Sequence, residues 1–364
     1  MALVVMHTEP MNKSMPHQVI AAFAEQANLC EAVGSPFTAA ILRSVAATLN
    51  RNTQTGRAIL DWQGDPMADA LKLRIAGGLH ALARTGQDLE LSALYKGDTS
   101  DMDAVLTRVL AQWDGWLLPW LDGPPQTNEV GRSGMLWPGI MKVTARYGPQ
   151  IELLELGASA GLNLNMDRFG YELCGVKAGD PASSVQLKPD WIGPAPTFAP
   201  VTITGRRGVD INPLDPSRDD VTARLIAYVW PDQTARLARI EAAIALSRRH
   251  PPVVDKADAA DWIEDQLAKP QQDGVARLIF HSIVLQYLPP ESRHRVVNAI
   301  IKAGAAATAQ RPIAWLSMEF TGPVKSEAEL RLRSWPGNGE SVTLATVHPH
   351  GASITWLGAE ERAG

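Results

Sequence analysis

The fold is decided by Ile151-Glu152-Leu153-Leu154-Glu155-Leu156-Gly157-Ala158-Ser159-Ala160-Gly161-Leu162-Asn163. Its first half is rich in apolar residues and typical of a buried parallel strand, and two glycines separated by three small residues follow. This pattern predicts a strand, a tight turn and the start of a helix. Such a turn directs backbone N–H groups and the positive end of a helix dipole towards the carboxyl edge of a sheet. A nucleotide-like ligand could approach closely there, and the carboxylate of Glu155 suits a ribose diol better than a phosphate.

The composition is that of an ordinary globular protein. The chain has 364 residues, of which 45% are hydrophobic and 20% are charged, and its net charge is -5. This acidic balance and the absence of a long basic run argue against duplex nucleic acid as a partner. No apolar run approaches the ~20 residues of a membrane span, and the N-terminus lacks the basic-then-apolar layout of a secretory signal. The two cysteines, Cys30 and Cys174, lie far apart in the sequence. We therefore predict a cytoplasmic protein without membrane association.

Two regions of different periodicity divide the chain. Residues 1–147 predict an α-helical N-terminal domain, because Ser35-Pro36 and Asp65-Pro66 each place a capping residue before a proline ahead of helical apolar spacing. Residues 148–364 alternate strands with helices, which is typical of a mostly parallel sheet covered by helices on both faces. The sequence thus predicts a helical domain followed by an α/β domain.

The predicted α/β domain carries one insertion, at about residues 165–205. Within it, residues 171–176 and 185–187 alternate in polarity and predict a hairpin. At the C-terminal end, residues 341–347 and 352–357 predict an antiparallel hairpin at the edge of the sheet. The insertion therefore separates the glycine turn from the next strand of the sheet.

Three further motifs follow the glycine turn in order. The first is a short predicted strand that ends in an acidic residue, Gly208-Val209-Asp210-Ile211-Asn212-Pro213. The second is Asp258-Ala259, which follows the next predicted strand. The third is a predicted strand with its loop, Phe280-His281-Ser282-Ile283-Val284-Leu285-Gln286-Tyr287. Together with Glu155-x-Gly157-x-Ser159-x-Gly161, this succession resembles the class I S-adenosylmethionine-dependent methyltransferases. The resemblance implies a Rossmann-like, methyltransferase-type fold and S-adenosylmethionine as the cofactor. Serine replaces the usual middle glycine, and the insertion exceeds the ~20 residues typical of a dinucleotide unit.

The resemblance also implies a set of binding residues. For the cofactor the set is Glu155, Gly157, Ser159, Gly161, Asn163, Asp210, Ile211, Asp258 and Ala259. Either Glu155 or Asp210 would contact the ribose, and Asp258 would lie near the adenine. The methyl acceptor would be a small molecule that enters beside a polar loop containing Asn128, Glu129 and Arg132. The alternative for this loop is a helix cap without any contact to a substrate.

Candidate catalytic residues lie at or just after predicted strand ends, where open parallel sheets bind ligands. They are His281, Tyr287 and Glu319. His281 could take a proton from the acceptor near neutral pH, and the alternative is a hydrogen-bonded structural histidine. Tyr287 could be only a wall of the site and Glu319 only a cap of its loop. Methyl transfer depends mainly on alignment of the methyl group with the nucleophile and on exclusion of water, so a base is optional.

Two other functions stay open. Gly157-Ala158-Ser159-Ala160-Gly161 also matches the Gly-x-Ser-x-Gly nucleophile elbow of α/β-hydrolases, with Ser159 as nucleophile and His348 or His350 in the triad. No His-Gly-Gly oxyanion loop precedes this elbow. The second alternative is a nucleoside-binding or regulatory protein without catalysis. A nicotinamide cofactor is disfavoured because the third glycine of Gly-x-Gly-x-x-Gly is missing, and His348-Pro349-His350 alone predicts no metal site.

Four segments together resemble an uncharacterised bacterial family catalogued only as a domain of unknown function. They are Thr127–Arg132, Leu156–Leu164, Val229–Asp232 and Phe280–Ser282. This resemblance covers nearly the whole chain. Because it implies no established reaction, it supports the fold more than the function.

Overall fold

The computed structural model describes residues 16–98, 101–322 and 327–358. Contacts divide the chain into a helical unit, Met1–Thr127 with Ala223–Leu237, and an α/β unit, Asn128–Thr222 with Ala238–Gly364.

The α-helices are α1 (Pro16–Ala32), α2 (Pro36–Thr48), α3 (Gln54–Leu60), α4 (Leu71–Thr85), α5 (Leu89–Leu94), α6 (Met102–Gln112), α7 (Asp114–Leu117), α8 (Ser133–Tyr147), α9 (Asp219–Ala227), α10 (Thr234–Arg249), α11 (Ala259–Ala268) and α12 (Pro290–Ala305). The strands are β1 (Gln150–Leu156), β2 (Gly170–Leu173), β3 (Val176–Gly179), β4 (Gln186–Leu187), β5 (Asp190–Ile192), β6 (Thr202–Asp210), β7 (Val254–Lys256), β8 (Ala276–Ser282), β9 (Ile313–Glu319), β10 (Ala328–Trp335), β11 (Val342–Val347) and β12 (Ser353–Trp356).

The helical unit has its own apolar core, in which Phe23, Leu42 and Leu106 are fully buried. A distant carboxylate completes the first turn of α2. Ser35 is the N-cap residue but makes no side-chain capping bond, and Asp232 instead accepts from the backbone N–H of Phe37 at 3.0 Å and from the Thr38 hydroxyl at 2.9 Å. A negative charge at a helix N-terminus satisfies its unpaired N–H groups and interacts favourably with the helix dipole. This contact is one of those that join Ala223–Leu237 to the helical unit.

Helix α8 belongs to the α/β unit, although the sequence assigns residues 1–147 to the helical domain. It packs against β8, β9 and β10. Helical periodicity marks a helix without showing which core buries its apolar face. The boundary between the units therefore lies before Asn128 rather than at 147/148, and the segment Ala223–Leu237, from the predicted α/β domain, belongs to the helical unit.

A mostly parallel sheet of nine strands forms the centre of the α/β unit, in the order β5-β12-β11-β10-β9-β8-β1-β6-β7. The strands β7, β6, β1, β8 and β9 are parallel, and β10, β11 and β12 continue the sheet in antiparallel pairs. Trp315 packs in a core cluster with residues of α11 and α12, and the neighbouring Leu316 contacts Gly139 of α8. Because consecutive strand residues point to opposite faces, helices cover both faces of the sheet, as predicted.

The antiparallel pairing of β11 with β12 is confirmed, but their predicted position at the sheet edge is wrong. Strand β5, from the insertion, pairs in parallel with β12 and forms the edge instead. The hairpin predicted from residues 171–176 and 185–187 is also wrong, because these two segments pair in parallel. Strand β2 pairs with β3 in antiparallel fashion and with β4 in parallel, which gives a small three-stranded sheet. Short alternating segments show that strands exist but do not specify their partners.

None of the helices in the described parts of the chain is both long and apolar enough to cross a membrane.

Candidate functional site

The order of the parallel strands reverses at β1. Strand β6 is the neighbour of β1 on one side, and β8 is its neighbour on the other side. Glu155 of β1 is in register with Gly208 of β6, and Leu156 is in register with His281 of β8. Open α/β sheets bind ligands beyond the carboxyl ends of the strands at such a switch point. The predicted glycine turn lies there.

The turn after β1 has an unusual backbone conformation. Gly157, Ser159 and Gly161 have φ angles of +67°, +53° and +68°, in the left-handed region. The N–H of Gly161 donates to the carbonyl of Ala158 at 2.7 Å, which closes the turn. The predicted helix start is wrong, because Leu162–Arg168 forms a 3-10 helix with a kink at Asn165. The segment directly after the turn is therefore not an α-helix whose dipole points at the turn.

Asp210, at the end of β6, holds this turn. One carboxylate oxygen accepts from the backbone N–H of Ser159 at 2.9 Å, and the other accepts from Asn212 at 2.9 Å. The N–H of Ala158 also donates to the carbonyl of Val209 at 2.9 Å. The structure therefore brings the first and second motifs together. Ile211, the next residue, has 71% of its surface exposed and offers an apolar surface beside Asp210.

Glu155 is the most isolated acidic group of the site. It is 2% exposed, and its Oε2 has no hydrogen-bond partner among the described residues. Burial raises the pKa of Glu155 well above its usual range, the charge of Asp210 raises it further, and the charge of Arg132 opposes both. The hydroxyl of Ser159 is likewise buried and has no partner within the described chain.

The raised pKa of Glu155 predicts a stability that falls as the pH rises. The unfolded state ionises this carboxyl near about pH 4.3, whereas the folded state keeps its proton to a higher pH. The contribution of Glu155 is therefore fully present below about pH 4.3 and is lost as the pH rises towards the raised folded pKa. The test is the free energy of unfolding in urea for wild type and Glu155→Gln, measured between pH 5 and 8. As the pH rises, we expect wild type to lose stability relative to the variant, because glutamine cannot ionise. The exposed Glu291→Gln is the control, and a difference independent of pH would contradict the prediction.

The loop predicted to face the substrate is largely buried. Asn128 accepts from the N–H of Leu162 at 2.9 Å and so caps the 3-10 helix after the glycine turn. Glu129 accepts from the N–H of Gly131 at 3.0 Å through its side chain, and its carbonyl accepts from the Asn163 amide at 3.4 Å. The loop therefore supports the turn, and Asn163, which is 1% exposed, points into this network rather than into solvent.

Arg132 joins the same loop to two other segments. Its guanidinium donates to the carbonyl of Pro349 at 2.9 Å and to the carbonyl of Ser282 at 2.8 Å. The end of β8 and the β11–β12 connection are thereby fixed to residues 128–132. A role of Arg132 in substrate binding stays a prediction, and its hydrogen bonds show a structural role.

His281 is fully buried and forms a triad with Trp315 and Glu319. The indole N–H of Trp315 donates to Nε2 of His281 at 3.0 Å, and Nδ1 lies 2.7 Å from Oε1 of Glu319. Because indole nitrogen only donates, we assign the proton to Nδ1, which donates to the carboxylate. Burial raises the pKa of Glu319, but the hydrogen bonds from His281 and from the N–H groups of Val284 and Leu285 lower it by more, so it lies below its usual value. Both ring nitrogens are engaged, so in this geometry His281 has no nitrogen available as a general base.

Asp258 and Ala259 lie at the start of α11, and Tyr287 lies in the loop after β8. Asp258 is the N-cap of α11 and accepts from the N–H groups of Ala260 at 2.8 Å and Asp261 at 3.3 Å. Its other oxygen accepts from the Ser292 hydroxyl at 3.3 Å. Ala259 is the first residue of α11. Tyr287, in the loop after β8, has 75% of its surface exposed. The assignments of Asp258 to the adenine and of Tyr287 to catalysis stay predictions. No group of three or more potential metal ligands occurs among the residues that the structure describes.

The family described as "Uncharacterized protein conserved in bacteria (DUF2332)" matches residues 20–356 of this chain. The chain belongs to this family. No curated protein and no solved structure matches it. The DUF2332 match spans both units, so the helical unit is part of the family's architecture rather than an addition to an α/β protein.

Two structural features of this DUF2332 member could not be predicted from its sequence. Ile283 has a φ angle of +57°, which is a genuine outlier for a β-branched residue. The indole of Trp315 bonds to His281 from the neighbouring strand. The first depends on the loop after β8 and the second on strand pairing, so neither is visible in residue patterns along the chain.

Proposed function

We propose that the protein is a class I S-adenosylmethionine-dependent methyltransferase with a Rossmann-like fold, acting on a small-molecule acceptor. One observation carries the proposal. The order β7-β6-β1-β8-β9 places the Gly157–Gly161 turn beside Asp210 at a topological switch point. The acidic residue and the turn are the two parts that the first and second motifs of such an enzyme require.

The chain offers groups that fit parts of this cofactor. Asp210 would accept from the ribose hydroxyls, and Ile211 would contact the adenine ring through its exposed surface. Glu155 Oε2 and the Ser159 hydroxyl are buried polar atoms without partners among the described residues, and such atoms gain free energy when a ligand bonds to them. The bound cofactor would supply a methyl group on a sulfonium. Glu155 would favour such a cation once ionised, because opposite charges attract strongly in a buried site.

Proton transfer is not assigned to His281 in this proposal. Its two nitrogens are occupied by Trp315 and Glu319, so it would position the end of β8. The protein would contribute alignment of the acceptor and exclusion of water, which suffice for a nucleophile that needs no base.

The hydrolase alternative has one favourable observation, the left-handed φ of Ser159 in a Gly-x-Ser-x-Gly turn. However, the Ser159 hydroxyl has no hydrogen-bond partner among the described residues, so no histidine is in place to activate it. The segment after the turn is a 3-10 helix rather than the α-helix of a nucleophile elbow. A nucleoside-binding protein without catalysis is favoured by the engaged nitrogens of His281.

Thermal and chemical unfolding with S-adenosylhomocysteine test the proposal. A ligand at ~100 times its dissociation constant stabilises the folded state by about 2.7 kcal/mol, so a clear rise in Tm is expected. Asp210→Asn should abolish most of this rise, because one charge-assisted hydrogen bond contributes about 1.5–3 kcal/mol. Asp265→Asn, at an exposed position of α11, is the matched control.

Three results separate the candidate functions. A shift with methyl transfer to any acceptor of a small-molecule panel supports the methyltransferase. A shift without turnover favours a nucleoside sensor. No shift, together with labelling of Ser159 by a fluorophosphonate, contradicts the proposal and favours the hydrolase.

A further inference from the structure

The side chain of Val284 fills the space above the first glycine of the turn. A Cβ atom placed on Gly157 would lie 2.5 Å from Cγ2 and 2.8 Å from Cγ1 of Val284. Glycine in such a turn normally lets a ligand approach the backbone closely. In this protein the approach to Gly157 from the β8 side is occupied by Val284.

The loop that carries Val284 is held under strain. Ile283 has a left-handed φ of +57°, which costs free energy for a β-branched residue and persists only where the surroundings enforce it. Oε1 of Glu319 provides that restraint, since it accepts from the N–H of Val284 at 2.9 Å and of Leu285 at 3.3 Å. The triad with His281 fixes the same carboxylate oxygen.

Two buried polar atoms lie at the same strand end and turn. Glu155 Oε2 and the Ser159 hydroxyl have no partners within the described chain. Each unpaired buried group costs free energy, which a hydrogen-bonding ligand recovers. A strained loop that packs on Gly157, in a turn that also carries unsatisfied polar groups, is an arrangement that a ligand can open with a net gain in free energy.

We propose that residues 283–287 form a gate over the glycine turn, in which Val284 must withdraw from Gly157 to admit the nucleoside ligand and Glu319 holds the gate shut. This inference rests on the proposed function and adds regulation of access to the same site. The measured affinity is then the intrinsic affinity reduced by the fraction of molecules with an open gate. Val284 therefore sets the affinity without contacting the ligand.

Binding of S-adenosylhomocysteine to wild type, Val284→Ala and Val297→Ala tests the gate. Val297 of α12 is half-buried like Val284 and serves as the matched control. Alanine removes two methyl groups that stabilise the closed gate, so we expect Val284→Ala to bind about tenfold more tightly, as judged from the burial free energy of such groups. Val297→Ala should bind like wild type. In wild type, the ligand should speed hydrogen exchange at the amides of Val284 and Leu285, because they leave Glu319.

The possible outcomes distinguish the gate from the proposed function. Tighter binding by Val284→Ala, or binding by this variant alone, supports the gate. Equal binding by all three proteins, with unchanged exchange at Val284 and Leu285, overturns the gate and leaves the methyltransferase proposal standing. Absence of binding in all three folded proteins overturns both.

Discussion

Replacement of His281 by alanine is expected to lower the free energy of unfolding by about 4 kcal/mol. The imidazole is fully buried, so its removal leaves a cavity in a packed strand. It also leaves the indole N–H of Trp315 without its acceptor and Glu319 without its closest donor. Urea unfolding followed by tryptophan fluorescence measures the loss.

Two further variants separate the causes. His281→Phe keeps an aromatic ring of similar size and should still cost about 2 kcal/mol, because both polar partners stay unpaired. His294→Ala, at an exposed position of α12, should change stability by less than about 0.5 kcal/mol. If His281→Ala kept its stability within 1 kcal/mol of wild type but lost activity, the histidine would be catalytic and the structural role assigned to it would be wrong.

The second large effect is expected at Arg277, on β8 near the amino edge of the sheet. Its guanidinium is buried and donates to Glu152 at 2.7 Å and to the carbonyls of Gln266 at 3.1 Å, Lys269 at 3.2 Å and Pro270 at 3.3 Å. The carbonyls at the C-terminal end of α11 depend on it for hydrogen bonds. Arg277→Ala should therefore destabilise the protein by about 3 kcal/mol in urea unfolding, since it removes a buried charged group together with its hydrogen bonds to one buried carbonyl and three partly buried acceptors.

An exposed arginine provides the comparison. Arg331 pairs with Glu329 at 2.6 Å, but 45% of its side chain is exposed. Because surface ion pairs contribute little, Arg331→Ala should cost less than about 1 kcal/mol. Equal effects at Arg277 and Arg331 would show that the buried network does not hold α11 to the sheet.

The parts of the fold that depend on local pattern could be predicted from the sequence. Strand β1 lies where a run rich in apolar residues predicted it, because a strand buried on both faces needs mostly apolar residues. Strands β8 and β9 end at Ser282 and Glu319, as the predicted strand ends required. Strand β10 was not predicted, although its residues 328–335 alternate mostly between apolar and charged side chains, which is the pattern of a strand with one buried face.

The candidate site was predicted only in part. Asp210 and the glycine turn do meet, because each follows the carboxyl end of a parallel strand. The hydrogen-bond partners of the other predicted site residues could not be predicted. Asn128, Arg132 and His281 form hydrogen bonds with residues between 34 and 217 positions away in the sequence, and residue patterns contain no signal for such partners.

The sequence alone determined that β1 ends in a glycine turn, that an acidic residue ends β6, and that the chain is a member of its bacterial family. These are properties of residue type and short-range order, which act over a few residues. Only the tertiary structure decided that α8 joins the sheet, that Trp315 and Glu319 occupy both nitrogens of His281, and that Val284 covers Gly157. The reason is physical: each of these contacts depends on which strands become neighbours, and that choice minimises the free energy of the whole packed unit rather than that of any one segment.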